Sequence, residues 1–119
     1  MTDFVWLIGG EAGFGIMTTG LAFSKIASRL GYEIFEKLEY PSLIRGGHNS
    51  YEVAFSQKEV YDVKPTLDCL VCLNEETYKL NKGRLTSSTF VIYDENEFKP
   101  EGNFLKINVP FSQILKDLK

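Results

Sequence analysis

The chain's 119 residues suit one compact domain and leave no room for two, so a single domain spanning 1–119 is expected. With 44% hydrophobic and 24% charged residues and a net charge of -3, it is neither a disordered acidic tail nor a basic nucleic-acid binder, and it can build a core without staples. No apolar run approaches the ~20 residues that span a bilayer, and Met1-Thr2-Asp3-Phe4 lacks a basic leader region, so the default location is cytoplasmic.

Phe4-Val5-Trp6-Leu7-Ile8 is a continuous apolar run ended by Gly9-Gly10, the pattern of a strand buried on both faces of a parallel sheet. From Gly15 the period changes. Ile16, Gly20, Phe23, Ala27 and Leu30 recur at helical spacing, and Gly31 follows as a C-terminal cap, which predicts a helix of about four turns. Tyr32 to Leu38 reads as a second strand and completes the opening unit of an α/β fold. The stretch from Glu39 to His48 has no period, one proline and two adjacent glycines, and reads as a specialised loop.

Tyr51, Val53 and Phe55 alternate with Glu52 and Ala54, and Val60-Tyr61 follows a polar break, which suggests a hairpin added to the sheet. Leu67 to Leu73 is another apolar run. Behind it Asn74 stands as an N-cap with Glu75 and Glu76 in the first turn of a short helix reaching about Lys82. Phe90 to Tyr93 and Phe104 to Val109 are the last strands, and Pro110 opens a final helix. The fold class is therefore α/β, Rossmann-like, a mostly parallel sheet with flanking helices and an added hairpin.

Three features carry chemistry. Gly10-Glu11-Ala12-Gly13-Phe14-Gly15 joins a buried strand to a helix start, where glycines let a ligand approach free N–H groups and the helix dipole favours an anion. The glycine order is not that of a dinucleotide fingerprint, and the Lys-Ser/Thr of a nucleotide P-loop is missing. Thr18 and Thr19 add hydroxyl groups. The alternative is that the glycines only turn the chain and seat the helix.

Cys69 and Cys72 match a Cys-x-x-Cys spelling, yet residues three apart in a strand point to opposite faces, so neither a disulfide nor a shared metal is expected. Both read as packing residues. His48, the only histidine, stands beside Arg45-Gly46-Gly47 with no acid partner that would suggest a catalytic triad. Arg45, one of three arginines, suits a bidentate carboxylate or phosphate contact, or an internal ion pair with Glu39.

Read together, three stretches resemble the gamma domain of 2-oxoacid:ferredoxin oxidoreductases: Gly9 to Gly20, Glu39-Tyr40-Pro41-Ser42-Leu43-Ile44-Arg45-Gly46-Gly47-His48-Asn49-Ser50, and Asp68 to Asn74. The middle stretch is the specific one, close to the type in which the gamma domain is fused ahead of the alpha domain in 2-oxoglutarate or broad-specificity enzymes. The resemblance runs from about Phe4 to Pro110. Because related domains continue beyond that point, it implies a domain that stops short at its C-terminus.

The resemblance implies oxidative decarboxylation of a 2-oxoacid to an acyl-coenzyme A with reduction of ferredoxin, using thiamine diphosphate, magnesium and iron–sulfur clusters in partner domains. This chain has only two cysteines and no Gly-Asp-Gly diphosphate motif, so it is expected to be non-catalytic alone and to bind none of those groups itself, with catalytic and metal-ligating residues absent. Gly10, Gly13, Gly15 and Thr18 would face the cleft, and Arg45, Gly46, Gly47 and His48 would meet an anionic group of coenzyme A or substrate at the junction with the alpha and beta, thiamine-binding, domains. Two other readings stand beside this one: an independent nucleotide-binding domain using the Gly-rich turn, and a purely structural assembly module.

Overall fold

The computed structural model describes residues 4–11, 15–39, 48–56, 65–111 and 113–114. Its elements are β1 (Phe4–Glu11), α1 (Ile16–Arg29), β2 (Glu33–Glu39), β3 (His48–Ser56), β4 (Cys69–Cys72), α2 (Glu75–Asn81), a 3-10 turn over Lys82–Arg84, β5 (Phe90–Tyr93) and β6 (Leu105–Asn108). The strands form one sheet in the order β2-β3-β1-β4-β5-β6. Only β3 runs against the rest: it is antiparallel to β2 and β1, while β1, β4, β5 and β6 are mutually parallel.

The expected opening unit forms, but β2 does not lie beside β1. β3 is inserted between them, pairing Tyr51 with Ile8 on one side and with Leu38 on the other. The strand read as half of an added hairpin is thus interior to the sheet, while Val60 and Tyr61, the expected second arm, lie outside the described residues. An interior antiparallel strand keeps the clean alternation that β3 shows: Tyr51, Val53 and Phe55 join one apolar layer, and Ala54 joins the other.

β1 is buried from Val5 to Gly10, as an unbroken apolar run covered on both faces requires. Trp6 and Ile8 point to the face that α1 covers, where Trp6 stacks on Phe23 with ring centroids 4.2 Å apart. Val5 and Leu7 point to the other face and pack with Leu70, Cys72, Val91, Phe98 and, from α2, Tyr78.

Both helix ends behave as their residues dictate. Gly31 takes φ +93°, with its N–H donating to Ser28 C=O and the Tyr32 N–H to Ala27 C=O, the paired bonds of a glycine-closed helix. Asn74 caps α2 by accepting the Thr77 N–H at 3.0 Å. After Pro110, residue 111 is helical and the Ile114 N–H donates to Pro110 C=O at 3.0 Å.

Among the described residues, the backbones of α1 and α2 stay clear of β5 and β6, although Tyr78 of α2 reaches the layer that Val91 of β5 joins. Phe90, Leu105 and Ile107, which share the α1 face through the parallel register, are each more than 40% exposed.

Candidate functional site

In an open α/β sheet, ligands gather beyond the carboxyl ends of the strands where the strand order reverses. Here that point lies between β1 and β4. From β1 the chain passes through α1, on one face, to β2 at one edge. From β4 it passes through α2, on the opposite face, to β5 and β6 at the other. The Leu73 N–H donates to Gly9 C=O at 3.0 Å and ties the two strand ends together, so the crevice opens just past Gly10-Glu11 and Leu73-Asn74.

The wall of this crevice on the β1 side is the start of α1. Gly15 is its N-cap, in the left-handed region at φ +76°, and as a glycine it offers no side chain to cap the first turn. A Cβ at Gly15 would meet nothing within 4 Å, so the backbone conformation and not lack of space calls for glycine. The first helical bond, Thr19 N–H to Gly15 C=O, leaves the dipole's positive end directed at the crevice, with exposed Thr18 on the first turn.

The structure brings several of the expected residues to this one edge. Gly10 is the buried penultimate residue of β1, opposite Asn49, and His48 opens β3 opposite Glu11. Gly13, Arg45, Gly46 and Gly47 lie outside the described residues, although β2 ends at Glu39 and β3 begins at His48, so both ends of the arginine stretch are anchored in adjacent strands. Glu39, the candidate internal partner of Arg45, lies 3.3 Å from Lys37 in an exposed pair.

The cysteines are on opposite faces: Cys72 is buried in the layer under α2, whereas Cys69 packs against the layer under α1. Burial pushes both thiols up, Cys69 to about 11 with a further contribution from the Asp68 charge. Thiols held this way are protonated packing groups, and their placement does not fit an iron–sulfur cluster or a redox pair. An acid whose proton is held more tightly in the fold than in the open chain stabilises the fold at low pH. The Cys69 contribution is therefore fully present below pH 9.0 and is lost as the pH rises towards about 11. Urea denaturation across that range is expected to show a decline that is shallower in a Cys69→Ala variant, the remainder coming from Cys72.

Three arrangements were not foreseen. Arg84 donates through both terminal nitrogens to the buried Glu52 carboxylate at 2.8 and 2.7 Å, and through Nε to Pro65 C=O. Asp68 accepts the Val5 N–H at 2.8 Å, holding the entry of β4 against the start of β1. Tyr51 donates its hydroxyl to Glu36 and lays its ring against Gly20 of α1. Only the last had a signal in the sequence, since a glycine inside an otherwise regular helix points to a close approach.

The description of the pyruvate ferredoxin/flavodoxin oxidoreductase family matches residues 5–119. The chain belongs to that family. Among characterised relatives it is 38% identical over 72 residues to the alpha subunit of a Sulfolobus 2-oxoacid:ferredoxin oxidoreductase, covering 60% of this chain and 11% of that one. It is 30% identical over 94 residues to the alpha subunit of 2-oxoacid:ferredoxin oxidoreductase 2 of Aeropyrum pernix, covering 79% and 15%. The chain thus spans a small fraction of these relatives' length.

Family likeness extends to three dimensions. The 2-oxoglutarate:ferredoxin oxidoreductase of Magnetococcus marinus, solved with 2-oxoglutarate, coenzyme A and succinyl-CoA bound, superposes with a TM-score of 0.89 at 28% identity, covering 99% of this chain and 22% of that one. The keto/oxoacid ferredoxin oxidoreductase gamma subunit of Geobacter sulfurreducens shares the fold with a TM-score of 0.76 at 20% identity, over 96% and 65%. The mixed six-stranded α/β architecture is that of these oxidoreductase neighbours.

Proposed function

We propose that this chain is the gamma-type module of a 2-oxoacid:ferredoxin oxidoreductase and that its switch-point crevice contributes to holding coenzyme A. The observation that carries the reading is the α1 start: a left-handed glycine N-cap, Gly15, at the carboxyl edge where the arginine stretch is also anchored. Backbone N–H groups at such a start suit a phosphate, and Arg45 supplies a planar cation that matches phosphate or carboxylate oxygens in pairs. Gly10, Gly13, Gly46 and Gly47 carry no side chain that would hold an anion off the backbone, and Thr18 and His48 add hydrogen-bonding groups to the same set. Support comes from the strong likeness to a structure that holds coenzyme A.

In this reading the chain's residues bind and orient, and they carry out no bond-making step. Thiamine diphosphate with magnesium and iron–sulfur clusters, held by alpha and beta partner domains, supply decarboxylation and electron transfer to ferredoxin. The described residues offer no thiolate set for such a cluster. Two free, protonated thiols suit a reducing cytoplasm.

In the assembled oxidoreductase, Arg45→Ala is expected to raise the coenzyme A KM by about ten- to a hundredfold, the worth of one charge-assisted contact at ~1.5–3 kcal/mol, with the 2-oxoacid KM unchanged. An assembly failure would assign the arginine to subunit contacts. Tight NAD binding by calorimetry would favour the independent nucleotide-binding reading instead.

A further inference from the structure

Tyr51 links three elements that lead to the crevice, α1, β2 and its own β3. It is 3% exposed, on β3, in register with Ile8 of β1 on one side and Leu38 of β2 on the other. Its ring lies so close to α1 that a methyl group on Gly20 would overlap ring carbons Cγ, Cδ1 and Cδ2. Its hydroxyl donates to Oε2 of Glu36 on β2. One side chain thus touches the helix that carries the Gly-rich turn and the two strands that carry the arginine stretch.

The positions along each element matter. Glu36 lies shortly before β2 ends at Glu39, and Tyr51 shortly after β3 begins at His48, so the Tyr51–Glu36 bond ties the two strand ends from which residues 40–47 depart. Gly20 lies little more than one turn beyond Gly15, about 7.5 Å along the axis at 1.5 Å per residue. A helix moves as a rigid piece over that distance, so the depth at which Gly20 seats on the ring sets where the first turn of α1 stands relative to β1 and β3.

We propose that Tyr51 is a positioning residue: with Gly20 and Glu36 it clamps the α1 start and both anchors of the arginine stretch into one arrangement. The proposal rests on the coenzyme A reading for its functional consequence, but the clamp itself is a property of the chain. Tyr51→Phe keeps the ring seat and removes the bond to Glu36. Glu36→Ala removes the same bond from the other side, and Glu36→Gln keeps an acceptor.

Two measurements test it. Amide hydrogen exchange on the full chain should accelerate at the paired strand ends, residues 37–39 and 48–50, by at least about fivefold in Tyr51→Phe and in Glu36→Ala, with no further increase in the double variant and near-normal rates in Glu36→Gln. In the assembled enzyme, Tyr51→Phe should raise the coenzyme A KM about five- to tenfold with kcat and the 2-oxoacid KM unchanged, and Glu36→Gln should stay near the parent value. Unchanged exchange overturns the clamp. Faster exchange with an unchanged coenzyme A KM, while Arg45→Ala raises it, overturns the positioning role. If exchange accelerates and neither variant alters the KM, the clamp stands and the coenzyme A reading falls.

Discussion

Replacing Arg84 by alanine is expected to destabilise the chain by about 3 kcal/mol, measured by urea denaturation. The reason is asymmetry in the pair. Glu52 is 7% exposed, in a strand interior to the sheet, whereas the Arg84 side chain keeps 29% of its surface in water. Its two short bonds to Glu52 hold the guanidinium above its ordinary pKa, outweighing the burial that opposes it. Removing the arginine leaves a carboxylate whose side chain is only 9% exposed without its countercharge. Removing the glutamate instead leaves a guanidinium that can turn outward, so Glu52→Ala should cost less than Arg84→Ala. The double variant should recover much of the loss, because the penalty comes from the uncompensated charge. Equal costs for the two single variants would refute this account.

Gly20→Val is the second large effect. Overlap with the Tyr51 ring has no easy relief, since the ring is buried and hydrogen-bonded at its far end. Overpacking of this kind costs about 3 kcal/mol at the upper end of its usual range, and the better helix propensity of a residue with a side chain returns only a few tenths. For a chain of this size the thermal midpoint should fall by roughly 10 °C. Shrinking the ring residue at the same time, as in Gly20→Val with Tyr51→Leu, should cost less than the sum of the two single changes. If the effects simply add, the two side chains do not share the space the structure assigns them.

Most elements were legible because each is written locally. The buried run of β1, the helical period and Gly31 stop of α1, and the Asn74 cap of α2 each need only a few neighbouring residues to be recognised. The pairing order was not. Alternation in Tyr51, Val53 and Phe55 identifies a strand, but it holds no information on whether that strand joins an edge or enters between β2 and β1. The same limit applies to the site. Glycines at Gly10 and Gly15 mark a passage from strand to helix, and β1 does end at Glu11 and α1 open behind a left-handed Gly15, whereas Glu52–Arg84 and Tyr51–Glu36 join residues with no pattern between them.

The central place of β1 has a consequence for how the chain acquires its shape. Its two sheet neighbours are β3, starting at His48, and β4, starting at Cys69. Val5 to Ile8 therefore find their partners only far along the chain, as Trp6 does with Val53, 47 residues on, and with Cys69, 63 residues on. Closure over such separations is slow, and an unpaired apolar strand invites association with other chains. Folding speed should depend more on how readily β3 finds its slot than on α1, and yield during expression should be limited by the interval before β4 is complete.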